Sequence, residues 1–81
     1  MYRLLKEDEL KKVFETIDKK IKELPDDYIS LRITDGTLIG FIVKAVSGEY
    51  CLLDGFTVKT VTYSNDIDDI KEFIATTKFK H

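Results

Sequence analysis

The sequence predicts an α+β fold in which an N-terminal helix packs on a strongly bent antiparallel meander of four to five strands. Three observations carry that expectation. Leu10, Val13, Phe14, Ile17, Ile21 and Leu24 recur at helical spacing. The stretch from Tyr28 onward is rich in β-branched residues and, at first, alternates with period two. Three of the four glycines, in Asp35-Gly36, Ser47-Gly48 and Asp54-Gly55, fall between β-rich runs. There a two-residue turn needs a residue that tolerates positive φ. The 81 residues leave room for a single domain with one small core. Residues 1–25 form its helix, 28–64 its four-strand meander, and 65–81 a helical turn followed by a fifth strand.

The helix is well marked at both ends. Glu7, Asp8 and Glu9 place negative charge where the helix dipole favours it, and Lys19, Lys20 and Lys22 crowd the other end. Pro25 stops the helix at about Leu24. Glu7–Lys11, Asp8–Lys12, Glu15–Lys19 and Asp18–Lys22 are acid-first pairs one turn apart. The lysine-rich face therefore reads as a solvated, ion-paired surface rather than as a basic contact site.

The first strand, Tyr28 to Thr34, alternates cleanly, with Ile29, Leu31 and Ile33 on one side and Tyr28, Ser30, Arg32 and Thr34 on the other. The second, Thr37 to Val46, differs. Ile39, Phe41, Val43 and Ala45 face Leu38, Ile42 and Val46 across the strand, so both faces are apolar, and Gly40 interrupts it. Such a strand either bends to serve both halves of a curled sheet or lies in a flat sheet with the helix on one side and a partner on the other. A short third strand spans Glu49 to Leu53. A fourth runs from Phe56 to Tyr63, with a bulge near Lys59-Thr60 because Val58 and Val61 cannot share a face of a regular strand. Ile67, Ile70, Phe73 and Ile74 keep helical spacing, yet Phe73 to Phe79 is rich in β-formers. A turn of helix over Asn65–Ile70 before a last strand satisfies both.

The composition, 43% hydrophobic and 35% charged, excludes the disordered class. Cys51 stands alone, which rules out an internal disulfide and fits a reducing compartment. No apolar run approaches the roughly 20 residues of a membrane span. Arg3 and Lys6 interrupt any secretory apolar region near the start. A cytoplasmic protein without a membrane partner is the expectation, and the composition suits a host regulator and a phage or mobile-element protein alike. Net charge is −2, and residues 28–64 carry three basic and three acidic side chains, so the meander has no basic footprint.

Chemistry is sparse. One Cys and one terminal His do not make a metal site, and Asp66, Asp68 and Asp69 read as a helix start. His81 is a poor base at the chain end, and Cys51 sits in a strand between Tyr50 and Leu52. No catalytic residue, cofactor or metal ligand is assigned, and the chain is not expected to be an enzyme.

A helix, then a bent five-strand antiparallel sheet with a helical turn before the last strand, resembles the Sm-like and SH3-like small β-barrels. The residues that carry the likeness are Ile29-x-Leu31-x-Ile33-x-Asp35-Gly36, followed by a Gly-bearing long strand and a short third strand. It covers residues 8–77 as an architecture. The resemblance implies a small barrel and, for the Sm branch, RNA binding. The chain departs from the Sm pattern where RNA is read. Gly40 falls one residue earlier after the Asp-Gly turn than the family's glycine, and Val46 and Tyr50 stand where its pocket Asp and Asn would be. Tyr63-Ser64-Asn65 replaces its basic-Gly pair.

Tyr28, Arg32, Lys44, Lys59 and Tyr63 are the candidate binding residues, because aromatic and basic side chains on a sheet face serve both protein interfaces and single-stranded nucleic acid. Charge balance and the missing Sm pocket favour a protein partner, with the chain acting as a regulator or inhibitor; RNA binding is the disfavoured alternative. A charge-poor meander on a small core also predicts a homodimer or higher homo-oligomer, joined through a strand edge or the outer face of the second strand.

Overall fold

A computed structural model describes residues 1–80. The elements follow the order β1 (Tyr2–Leu4), α1 (Glu7–Lys20), a 3-10 turn (Ile21–Glu23), β2 (Ile29–Arg32), β3 (Leu38–Lys44), β4 (Tyr50–Asp54), β5 (Thr60–Ser64), α2 (Ile67–Thr76) and β6 (Lys78–Lys80). Strands β2 to β5 form an antiparallel meander in chain order, and β1 pairs with β6 in a separate two-stranded ribbon.

The apolar stripe of α1 does what its spacing predicts. Val13 and Ile17 are fully buried, and Leu10, Phe14 and Ile21 pack around them. The helix start is tied to β1 through Glu9. Its carboxylate accepts from the Lys6 backbone N–H at 2.7 Å and from both Arg3 guanidinium nitrogens at 2.7 and 2.8 Å. The paired fork makes a buried acid tolerable. The ion pairs expected within the helix do not close; Asp18 instead reaches across to Lys71 of α2.

The C-terminal segment differs from its expectation. In place of a helical turn and a fifth meander strand, α2 runs for 10 residues. Ile70 and Ile74 are fully buried and Ile67 and Phe73 pack beside them, so helical spacing outweighs the β-propensity of Phe73 to Phe79. Asp66 caps the helix by accepting from the Asp68 N–H at 2.9 Å. The strand that follows, β6, is 3 residues long and pairs with β1, which the sequence pattern did not reveal. Among the described residues β2 and β5 remain the two edges of the meander, and no pairing closes it into a barrel.

Gly40 sits beside an irregularity in β3. Leu31 pairs with Gly40 but Arg32 pairs with Leu38, leaving Ile39 as an extra residue. That bulge turns Ile39 into the core as well as Ile42. A second bulge in β5 leaves Val61 unpaired between Thr60 and Thr62, close to the predicted slip.

The turns also differ in detail. The first two hairpins have three-residue loops rather than two-residue ones. In each, the loop-closing N–H reaches the carbonyl four residues on (Ile33 to Thr37, Ala45 to Glu49) and the glycine N–H reaches back three residues. Gly36 and Gly48 take the left-handed position with φ of 88° and 96°. The third hairpin breaks the rule. Its loop spans residues 55–58, closed by Asp54 N–H to the Lys59 carbonyl, and the left-handed residue is Val58 with φ of 58°. Gly55 does not take positive φ. It is needed for a close approach, since a Cβ there would lie 2.9 Å from the Leu38 carbonyl oxygen.

Candidate functional site

Both helices cover the same face of the meander. Ile29, Leu31 and Ile33 beside β2, Ile42 on β3 and Leu52 on β4 join Val13 and Ile17 of α1 and Ile70 and Ile74 of α2 in one buried cluster. Alternation then assigns the opposite face. Ser30, Phe41 and Leu53 stand in register across three strands, as do Val43, Cys51 and Tyr63. Apart from Ser30 these residues are apolar or aromatic, and none is fully buried. Tyr28, Phe41, Val43, Leu53 and Val58 line a shallow groove of about 340 Å³.

The groove has an ordered rim. Tyr28 is 54% exposed and stands edge-to-face on Phe41, with ring centroids 5.7 Å apart at 74°. At the other side Val58 is 57% exposed. A β-branched residue resists positive φ, and holding one there costs on the order of 1–3 kcal/mol. Local bonds maintain it. The Val58 N–H donates to the Asp54 carbonyl at 2.9 Å, and the Asp54 carboxylate accepts from the N–H groups of Phe56 at 2.7 Å and Thr57 at 2.9 Å. Those bonds, from Thr57 first and then Phe56, hold the Asp54 carboxyl below its usual range.

The five predicted binding residues do not gather in one place. Tyr28 and Tyr63 lie on the outer face, Tyr63 with 65% exposure. Arg32 shares that face by alternation, but its guanidinium is engaged by the Gly36 carbonyl at 2.8 Å. Lys44 belongs to the helix-facing side, since it follows Ile42 by two residues, and its ammonium lies 5.2 Å from the Tyr50 ring. Lys59 flanks the third hairpin loop, which its carbonyl closes by accepting from the Asp54 N–H. Grouping Lys44 with Tyr28 is therefore corrected; strand parity separates them. Phe41, Val43 and Leu53 are not among the candidate binding residues. The sequence signal for Phe41 and Val43 is the second apolar face of β3, which also suggests a contact between copies; Leu53 on β4 carries no such signal.

Among the described residues no three His, Cys, Asp or Glu side chains gather to hold a metal ion. Asp66 and Asp69 are engaged at the start of α2, where Asp69 accepts from the Ser64 hydroxyl at 2.6 Å. No helix of the described residues is long and apolar enough to cross a membrane. No protein-family model, curated protein or solved structure matches the chain.

Proposed function

We propose that the chain is a non-enzymatic protein-interaction module, a regulator or inhibitor that lays the outer face of its sheet against a partner protein. One observation carries the reading: Phe41, Val43, Leu53, Tyr28 and Val58 form a continuous apolar surface on the side away from both helices. A sheet with one wet face alternates apolar with polar residues, and contiguous exposed apolar patches mark interaction sites. Exposed tyrosines at the margin supply the rigid amphipathic contacts that interfaces favour. A reducing, cytoplasmic setting suits a free Cys51 on the same face.

Affinity capture with four forms of the protein tests it. Wild type and a Lys11→Glu helix control retain the same partner; Tyr28→Ser and Phe41→Ser lose it while keeping their fold by circular dichroism. Equal capture by all four contradicts the proposal. The same proteins are titrated with generic single-stranded RNA. Binding that falls steeply with salt and depends on Tyr28 replaces the protein reading with the Sm-like one.

A further inference from the structure

The two edges of the meander are not alike. Each edge strand has a helix against it, α1 on β2 and α2 on β5, but the β2 edge ends in a charge, Arg32, whose guanidinium folds onto the Gly36 carbonyl. At β5 the edge is Thr60-Val61-Thr62-Tyr63-Ser64, with no charge and no proline. Charged side chains and proline are the usual means of blocking an edge, and β5 has neither within its length; the Val61 bulge is its only interruption.

The charges lie outside the strand and have opposite signs. Lys59 precedes it, and Asp66, with Asp68 and Asp69, follows it. An antiparallel copy reverses the order. A pairing centred on Thr62 sets Lys59 of each chain opposite Asn65 of the other, one residue from Asp66. A parallel pairing would set like charges together. The edge is thus self-complementary in the antiparallel sense alone, which is the relation a twofold axis imposes.

We infer that β5 is the dimerisation edge of this protein, pairing antiparallel with β5 of a second copy to make one eight-stranded sheet. A twofold axis normal to the sheet keeps the helices of both copies on one side. It also keeps both outer faces on the other, so the two apolar grooves lie on one extended surface with both copies of Tyr63 at the seam between them. The inference goes beyond the proposed function and does not depend on what occupies the outer face.

Sedimentation equilibrium over a wide concentration range tests it. Wild type passes from a 9.4 kDa species to twice that mass as concentration rises. Val61→Lys places a charge on the exposed edge and weakens self-association about tenfold or more. Lys59→Glu, a change just outside the strand that leaves β5 itself intact, sets like charges at both ends and weakens it too. Phe41→Ser, on a central strand, leaves the dimer unchanged. A 9.4 kDa species at every concentration overturns the inference. So does a dimer indifferent to both edge variants, or one lost on Phe41→Ser alone.

Discussion

Ile42 and Val43 are consecutive residues of β3, and they live on opposite faces of the same sheet. Ile42 is completely sealed beneath the helices; Val43 is only partly buried, in the outer groove beside Phe41 and Leu53. Both faces of β3 are apolar, so residue type does not distinguish them. Cover does. The inner face is apolar because the chain's own core requires it. The outer face meets no such demand, and along β3 and β4 it carries Phe41, Val43, Cys51 and Leu53 where a wet face would carry polar side chains. Surface chemistry unexplained by the fold is where function is to be sought.

The sharpest way to break that comparison is to truncate the two neighbours. Ile42→Ala should cost about 2–5 kcal/mol, cavity included. That is comparable to the entire stability expected of so small a core, roughly 3–5 kcal/mol. Val43→Ala should cost under about 1 kcal/mol, because a partly buried side chain has less burial to lose. Urea denaturation of both variants measures the difference, and equal costs would mean that the outer face is a second core.

The hairpins offer a smaller contrast. Gly36→Val should cost more than about 1 kcal/mol, since it forces a β-branched residue to positive φ. Val58→Gly runs the other way and should raise stability by up to about 1 kcal/mol, the relieved strain being offset in part by glycine's greater unfolded freedom. The same variant should weaken partner binding by removing a groove wall. Thermal melts that move both variants downward would show that Val58 is held by packing and not against strain.

The smallest expected effect is electrostatic. The Asp54 carboxyl titrates lower in the folded chain than in the unfolded one because it accepts the Thr57 and Phe56 N–H bonds. Its contribution is therefore present above the unfolded carboxylate pKa, about 3.9, and is lost as pH falls through the lower folded value. Asp54→Asn should show a shallower loss of stability in that acid range than wild type. Parallel pH profiles would remove Asp54 from the account of how the Val58 loop is held.

Much of the fold was legible because local and tertiary demands agree. The α1 stripe, the Ile29/Leu31/Ile33 alternation and the glycines at 36 and 48 each have one conformation that buries or relaxes them. The sequence misled where the deciding partner is remote. The length of α2 depends on Ile70 and Ile74 meeting the sheet, and β6 depends on β1 at the other end of the chain. Gly55 looked like a turn glycine, but the backbone of β3 crowding it is visible only after folding. The site was half legible. The two apolar faces of the second strand point to an unmet surface, whereas a match of charge and aromatic type alone groups Lys44 with Tyr28, and strand parity separates them.

Cys51 supplies a reporter inside the proposed docking face, since it stands in register between Val43 and Tyr63. Its alkylation rate, compared between purified protein and protein in an extract of its own cells, tests the central claim most directly. Docking on the outer face predicts that the extract slows alkylation of wild type and leaves Phe41→Ser unprotected. If Cys51 reacts equally fast in both settings while a partner remains bound, the partner sits elsewhere and the outer face is not the docking surface.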